Sequence, residues 1–373
     1  MRSSEELFTA DYADIDTMTK EELEEYIKIA EEQEHKFDKK QHAVKILLNS
    51  LYGALGTPYF RFFNIHCAEA ITLTGQATTA QSYKMFNDFL QDLLGDDNDR
   101  IAASDTDSAY VDLTDLIEKL YGKDVEVSDV IDKVTKLCDT KFADMLEECF
   151  DKFAHNINSM RNAIDMKREA IGSAVFVAKK NYVMQVYDNE GVRYATPQQK
   201  ITGLEAIKSS TPKFFQEKLK EGYKLLFQGD ESKIHEFLSD VYNEAMKLTP
   251  DDVAGVSTAN NIETFDNGDG TYKKGTPKHI KGALAYNRLI KNSDIYQPIN
   301  SGEKVYVIQL REPNPLNTPV LAYNERFPSD LLDEKYVDKE LDYEKYFIKP
   351  ISRTLEILQW KPKHEVSLED LFA

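Results

Sequence analysis

The 373-residue chain is 41% hydrophobic and 30% charged, an ordinary globular composition that excludes collagen-like and wholly disordered readings. Its length suits two or three domains with a sizeable core, and its formal net charge of −19 speaks, on average, against a polyanion partner. No apolar run approaches the ~20 residues a bilayer needs, residues 1–6 carry no apolar signal region, and Cys67, Cys138 and Cys149 form no CxxC pair, so the expectation is a cytoplasmic protein with reduced thiols and no membrane span.

Residues 1–18 read as irregular and acidic, since residues 1–34 hold twelve acids against three bases. Thr19-Lys20-Glu21-Glu22 then fits a capping box, and helical patterning runs on to about Leu55, where Gly53 and Gly56 offer a stop. Within this helix Lys45, Asn49 and Tyr52 follow an i, i+4, i+7 spacing and form one polar stripe, leaving Leu47, Leu48 and Leu51 to pack elsewhere. An ammonium, an amide and a phenol in line suit a nucleotide, although the polar face of a packed helix would look the same. A second helix is predicted over residues 68–94, followed by a turn at residues 95–100.

Residues 101–104 and 108–113 read as short strands around Asp105-Thr106-Asp107. Two carboxylates at i and i+2 in a tight turn put acidic oxygens at one tip, where a hard cation such as Mg²⁺ finds ligands. Turns are also rich in Asp for local hydrogen-bonding reasons. Residues 128–160 look helical, and residues 174–187 read as β-structure with residues 188–191 as its hairpin turn. Lys179-Lys180-Asn181-Tyr182 is read as strand, with Lys180 and Tyr182 on one face; the pattern suits a nucleic-acid backbone or an edge protected by lysine. Thr211-Pro212 opens a further helix and residues 266–270 form a turn. Residues 281–310 read as a mixture of helix and strand, and residues 271–292 hold six bases (Lys273, Lys274, Lys278, Lys281, Arg288, Lys291) and no acid, a basic stripe inside an acidic chain. The end, Ser367–Ala373, offers Leu368, Leu371 and Phe372 among acids, as a docking peptide or a frayed terminus.

The order of these motifs is more specific than any one of them. Lys45-x-x-x-Asn49-Ser50-x-Tyr52-Gly53, then Asp105-Thr106-Asp107-Ser108, then Lys179-Lys180-x-Tyr182, resembles the fingers, palm and primer-side motifs of family B DNA polymerases. Residues 167–170, 209–212, 258–260, 279–282 and 367–373 resemble replicative members from T-even-type bacteriophages, so the likeness runs from about Thr19 to Ala373. The resemblance implies an α+β fold that is half of a right-hand polymerase: residues 1–56 fingers, 57–203 an antiparallel-sheet palm, 204–362 a mostly helical thumb and 363–373 a clamp-binding tail. It implies that Lys45 grips the incoming dNTP, with Asn49 and Tyr52 beside the nascent base pair. Asp107 and Asp105 would serve two Mg²⁺ ions with Glu169 close by. Lys179, Lys180 and Tyr182 would hold the primer, with Lys278, Lys281 and Arg288 along the duplex. Leu368, Leu371 and Phe372 would bind a sliding clamp.

Three departures from the family pattern stand out. Ser104 replaces the Gly that precedes the DTD, and Lys167 replaces an acid of the phage relatives. The first palm motif, the exonuclease segment and the first fingers helix are not found in the chain. Asp105 and Asp107 therefore supply one side of a two-metal site, and the expectation is a C-terminal polymerase subunit whose N-terminal partner chain brings the other carboxylate and the exonuclease. Met1 reads as a true start in that scheme, with an excised fragment of a longer protein as the alternative. A non-catalytic DNA- and clamp-binding module and an unrelated acidic protein with a chance DTD are the competing expectations.

Overall fold

The structure, a computed structural model, describes residue 15 and residues 17–105, 108–122 and 125–362. Asp107 and the tail residues Leu368, Leu371 and Phe372 lie outside the described residues. The chain divides into two compact units: Met1–Lys84 with Thr106–Ser108, and Met85–Asp105 with Ala109–Ala373.

The first unit is built on α1 (Lys20–Leu55) and most of α2 (Ile65–Leu94). The capping box forms as expected: the Thr19 hydroxyl accepts from the Glu22 N–H at 3.3 Å and the Glu22 carboxylate accepts from the Thr19 N–H at 3.0 Å. Gly56 caps the far end of α1, and Asn64 N–H returns to the Leu55 carbonyl at 2.9 Å. The expected packing of Leu47, Leu48 and Leu51 is not found. They are exposed, Leu47 at 70%, together with Phe37, Val44 and Ile46. Alternation around the helix separates the polar stripe from the leucines, but among the described residues nothing is close enough to cover either.

The second unit carries three sheets. β1 (Ile101–Asp105) and β2 (Ser108–Val111) form a two-stranded sheet. α3 (Thr114–Tyr121) and α4 (Val127–Leu137) follow, and a π-turn at Cys138–Phe142 leads into α5 (Ala143–Asn156), so the expected helix over residues 128–160 is continuous only through that wider turn. Phe142, Leu146 and Phe150 are thereby buried against Phe86 and the flanks of the small sheet, Ile101 and Val111.

β3 (Ala170–Ala178), β4 (Asn181–Asn189) and β5 (Val192–Thr202) form an antiparallel sheet in sequence order. The expected β-run over residues 174–187 is therefore two strands. Ala178 faces Asn181, and Lys179-Lys180 is the turn between them. This corrects the expectation that Lys180 and Tyr182 share a strand face: Lys180 has φ +62°, a left-handed turn conformation. The β4–β5 turn falls at Glu190-Gly191, as the Gly predicts.

The largest core joins α6 (Lys213–Leu226), α7 (Glu231–Ala245), α8 (Pro250–Val253) and the antiparallel sheet β6 (Gly255–Ala259), β7 (Glu303–Gln309), β8 (Val320–Tyr323). α9 (Ile262–Phe265), α10 (Lys278–Leu289), α11 (Lys339–Tyr343) and α12 (Lys349–Ile357) pack around it, with a π-turn at Glu344–Ile348 between the last two. Gly282 on α10 is required by this packing, because a Cβ there would collide with the Val320–Ala322 backbone of β8. Among the described residues no helix is long and apolar enough to cross a membrane.

Candidate functional site

β1 ends at Asp105, half exposed at the mouth of the acidic turn. The β3–β4 turn approaches it from the neighbouring sheet, and the Lys180 ammonium pairs with the Asp105 carboxylate at 2.9 Å. Two motifs seventy-five residues apart in sequence are thus brought into contact. The turn is held from behind by Gly203, whose φ of +69° and missing Cβ let the backbone after β5 pass against the Lys180 carbonyl and Asn181. With its amide nitrogen turned toward them, Asn181 donates to the carbonyls of Lys180 and Gly203, both at 3.1 Å.

Tyr182 is buried, with 6% exposure, so its ring is part of the protein rather than a surface for stacking. It packs with Tyr110 of β2 (centroids 5.4 Å) and Phe176 of β3 (5.2 Å). The Tyr110 and Tyr182 hydroxyls lie 2.9 Å apart. Burial, and then the Tyr182 hydroxyl, push the Tyr110 phenol above its ordinary range, which keeps it protonated at any physiological pH.

Glu169, just before β3, pairs with Lys200 of β5 at 2.6 Å. Burial works to lower the Lys200 ammonium, but the Glu169 carboxylate beside it outweighs that and holds it above its ordinary value. Lys167, the residue whose charge departs from the family pattern, pairs with Asp165 at 2.9 Å. Arg168 turns inward, bonding Asp139 at 3.0 Å and the buried Asp188. Glu169 thus stands at the Ala170–Asn189 end of the sheet, where the Lys200 side chain reaches its carboxylate.

Asp105 and Lys180 are therefore brought into contact, Tyr182 is held by Tyr110 and Phe176, and Glu169 pairs with Lys200. Tyr110 and Lys200 were not anticipated. Each is a single residue on a strand, and only strand pairing across residues 105–200 reveals its place. Lys45, Asn49 and Tyr52 are exposed on one face of α1 in the first unit. Lys278 is exposed at the start of α10 and Lys281 lies one turn on. Arg288 is engaged locally: its guanidinium donates to the Gly270 carbonyl at 2.6 Å and to Asp266 at 3.0 Å, over the Tyr272 ring. It therefore braces the loop at residues 266–272.

Residues 17–360 match DNA polymerase family B. The chain belongs to that family. It is 33% identical over 344 residues to the DNA-directed DNA polymerase of Enterobacteria phage T4, a match covering 88% of this chain and 38% of that protein. The DNA-directed DNA polymerase of Escherichia phage RB69 is likewise 33% identical, over 343 residues. DNA polymerase 1 of Aeropyrum pernix is 23% identical over 304 residues, which cover 76% of this chain and 25% of that protein. The chain thus spans well under half the length of these relatives.

The carboxylates of this family B chain offer hard oxygen donors of the kind a divalent ion prefers. Among the described residues no group of three or more acidic, His or Cys side chains converges to hold one. Asp105 and Glu169 each face a lysine, and the donor set on the described side is incomplete.

Proposed function

We propose that this chain is the C-terminal part of a DNA-directed DNA polymerase, adding dNTPs to a primer 3′ end on template DNA. The observation that carries the reading is the family match over residues 17–360, with the acidic turn and the Lys180 turn meeting at the Asp105–Lys180 ion pair. In this reading residues 1–56 are fingers, 57–203 palm, 204–362 thumb and 363–373 a clamp-binding tail, half of a right-handed architecture.

Asp107, supported by Asp105, would hold two Mg²⁺ ions together with a carboxylate from the rest of the polymerase, and Glu169 would add negative potential nearby. Bound Mg²⁺ would supply Lewis-acid charge at the attacking primer oxygen and the leaving pyrophosphate. The chain's own side chains position the reactants. Lys45 draws the triphosphate by charge, while Asn49 and Tyr52 flank the base pair. Lys179 and Lys180 engage the primer close to its end, with the buried Tyr182 holding their turn in place. When primer and metal arrive, the Lys180 ammonium exchanges part of its contact with Asp105 for the DNA. Lys278 and Lys281 face the duplex backbone, and Arg288 acts through the loop it braces.

The exposed apolar residues of α1 support a further part of the reading: a segment outside this chain covers them. We assign that role to an N-terminal polymerase and exonuclease partner chain, which would also bring the missing palm carboxylate. The test is Mg²⁺-dependent primer extension by the two parts together, with Asp107→Ala as control. Template-directed extension that the substitution abolishes is expected. Primer–template and clamp binding with no extension under any metal would instead favour the non-catalytic module.

A further inference from the structure

The two-stranded β1–β2 sheet is too small to be stable by itself, and its position depends on what it packs against. Among the described residues, two contacts tie it to the β3–β4 hairpin. The Asp105–Lys180 ion pair is half exposed, and such pairs contribute little. The other contact is Tyr110. Its ring packs on Phe176 and Tyr182, with centroids 5.3 and 5.4 Å away, and its hydroxyl meets that of Tyr182 at 2.9 Å.

Ring packing resists separation but permits sliding, whereas a hydrogen bond between two part-buried hydroxyls is directional. Removing one hydroxyl leaves the other without its partner in a poorly solvated place. Tyr110 stands three residues after Asp107 on β2, and Tyr182 two residues after Lys180 on β4. Because β2 is paired with β1, any slip between the rings moves Asp105 relative to the Lys180 turn by a similar distance.

We propose that Tyr110 is a positioning residue for nucleotide addition: through its hydroxyl bond to Tyr182 it fixes Asp105, at the end of β1, against the hairpin of Lys180. The inference rests on the polymerase reading above. Tyr110 acts through Tyr182 and touches neither primer nor nucleotide.

The test uses Tyr110→Phe, Tyr182→Phe and the double variant in the assembled polymerase, beside the unsubstituted enzyme. Each change keeps the ring and removes one oxygen. Failure of the unsubstituted enzyme to extend a primer would refute the underlying reading. Given extension, each single variant should lose about tenfold in kcat for one nucleotide addition, because small misplacements of reacting groups are costly. KM for dNTP and Kd for primer–template should stay close to the unsubstituted values; the melting temperature should fall by a few degrees at most in each single variant and return toward the unsubstituted value in the double, where no hydroxyl is left unpaired. The double variant should be no slower than the slower single one, since both changes remove the same bond. An unchanged kcat in either single variant, or losses that multiply in the double, would overturn the proposal. So would a fall in melting temperature and DNA affinity that matches the loss of rate, which is the mark of a merely structural tyrosine.

Discussion

Asp342 offers a sharp test of the largest core. It sits on α11 with no solvent exposure. Oδ2 accepts from the Gln309 N–H at 3.0 Å, while Oδ1 has no hydrogen-bond partner among the described residues. Burial pushes the carboxyl from 3.8 up to about 7, with Asp338 adding to it; the Gln309 N–H and Lys345 favour the charged form and are outweighed. The gap between 3.8 and about 7, at ~1.4 kcal/mol per pH unit, is worth about 4 kcal/mol. The folded chain keeps this proton where the unfolded chain gives it up. The contribution is therefore fully present below pH ~4 and is lost as pH rises through about 7. Asp342→Asn keeps the shape and the acceptor for Gln309 but cannot ionise. It costs something at low pH, because one amide N–H lacks a partner, on the order of 1–3 kcal/mol. We predict that urea denaturation across pH 4 to 8 shows the variant gaining on the unsubstituted chain by up to about 4 kcal/mol, most of it between pH 5 and 7.5. Two stability profiles that run parallel over that range would refute the reasoning.

Three further outcomes follow from the proposed roles. Asp107→Ala in the assembled polymerase should abolish synthesis while leaving primer–template affinity largely intact in a gel-shift titration. For Lys45→Ala, pre-steady-state kinetics should show dNTP binding weakened at least tenfold more than DNA binding, the loss of one charge-assisted phosphate contact; equal losses would contradict the phosphate role. Deleting residues 367–373 should shorten products only when the sliding clamp is present, and an equal loss on short primers without clamp would count against docking.

Local chemistry made much of the architecture legible. Thr19 and Glu22 announce the start of α1, Gly56 its end, and Gly191 the β4–β5 turn, because each acts within a few residues. The Lys179-Lys180 turn was hidden: no Gly or Pro marks it, and the glycine that packs against the left-handed Lys180, Gly203, is distant in sequence. The π-turn at Cys138–Phe142 was hidden for a similar reason, since it preserves helical periodicity while widening one turn. Leu47, Leu48 and Leu51 read correctly as apolar and helical, but periodicity says which residues want cover, not whether the chain provides it. At the site, Asp105, Glu169 and Lys180 stood out through their charge and motif order. Tyr110 and Lys200 did not, because their partners lie 72 and 31 residues away and an isolated Tyr or Lys on a strand has no signature.

The most direct measurement is primer extension with Mg²⁺, using this chain first by itself and then together with the exonuclease-bearing N-terminal part. Extension is predicted only when both are present, with the missing carboxylate supplied from outside. Extension by this chain alone would contradict that, and would mean that a carboxylate of its own, such as Glu169, completes the metal site.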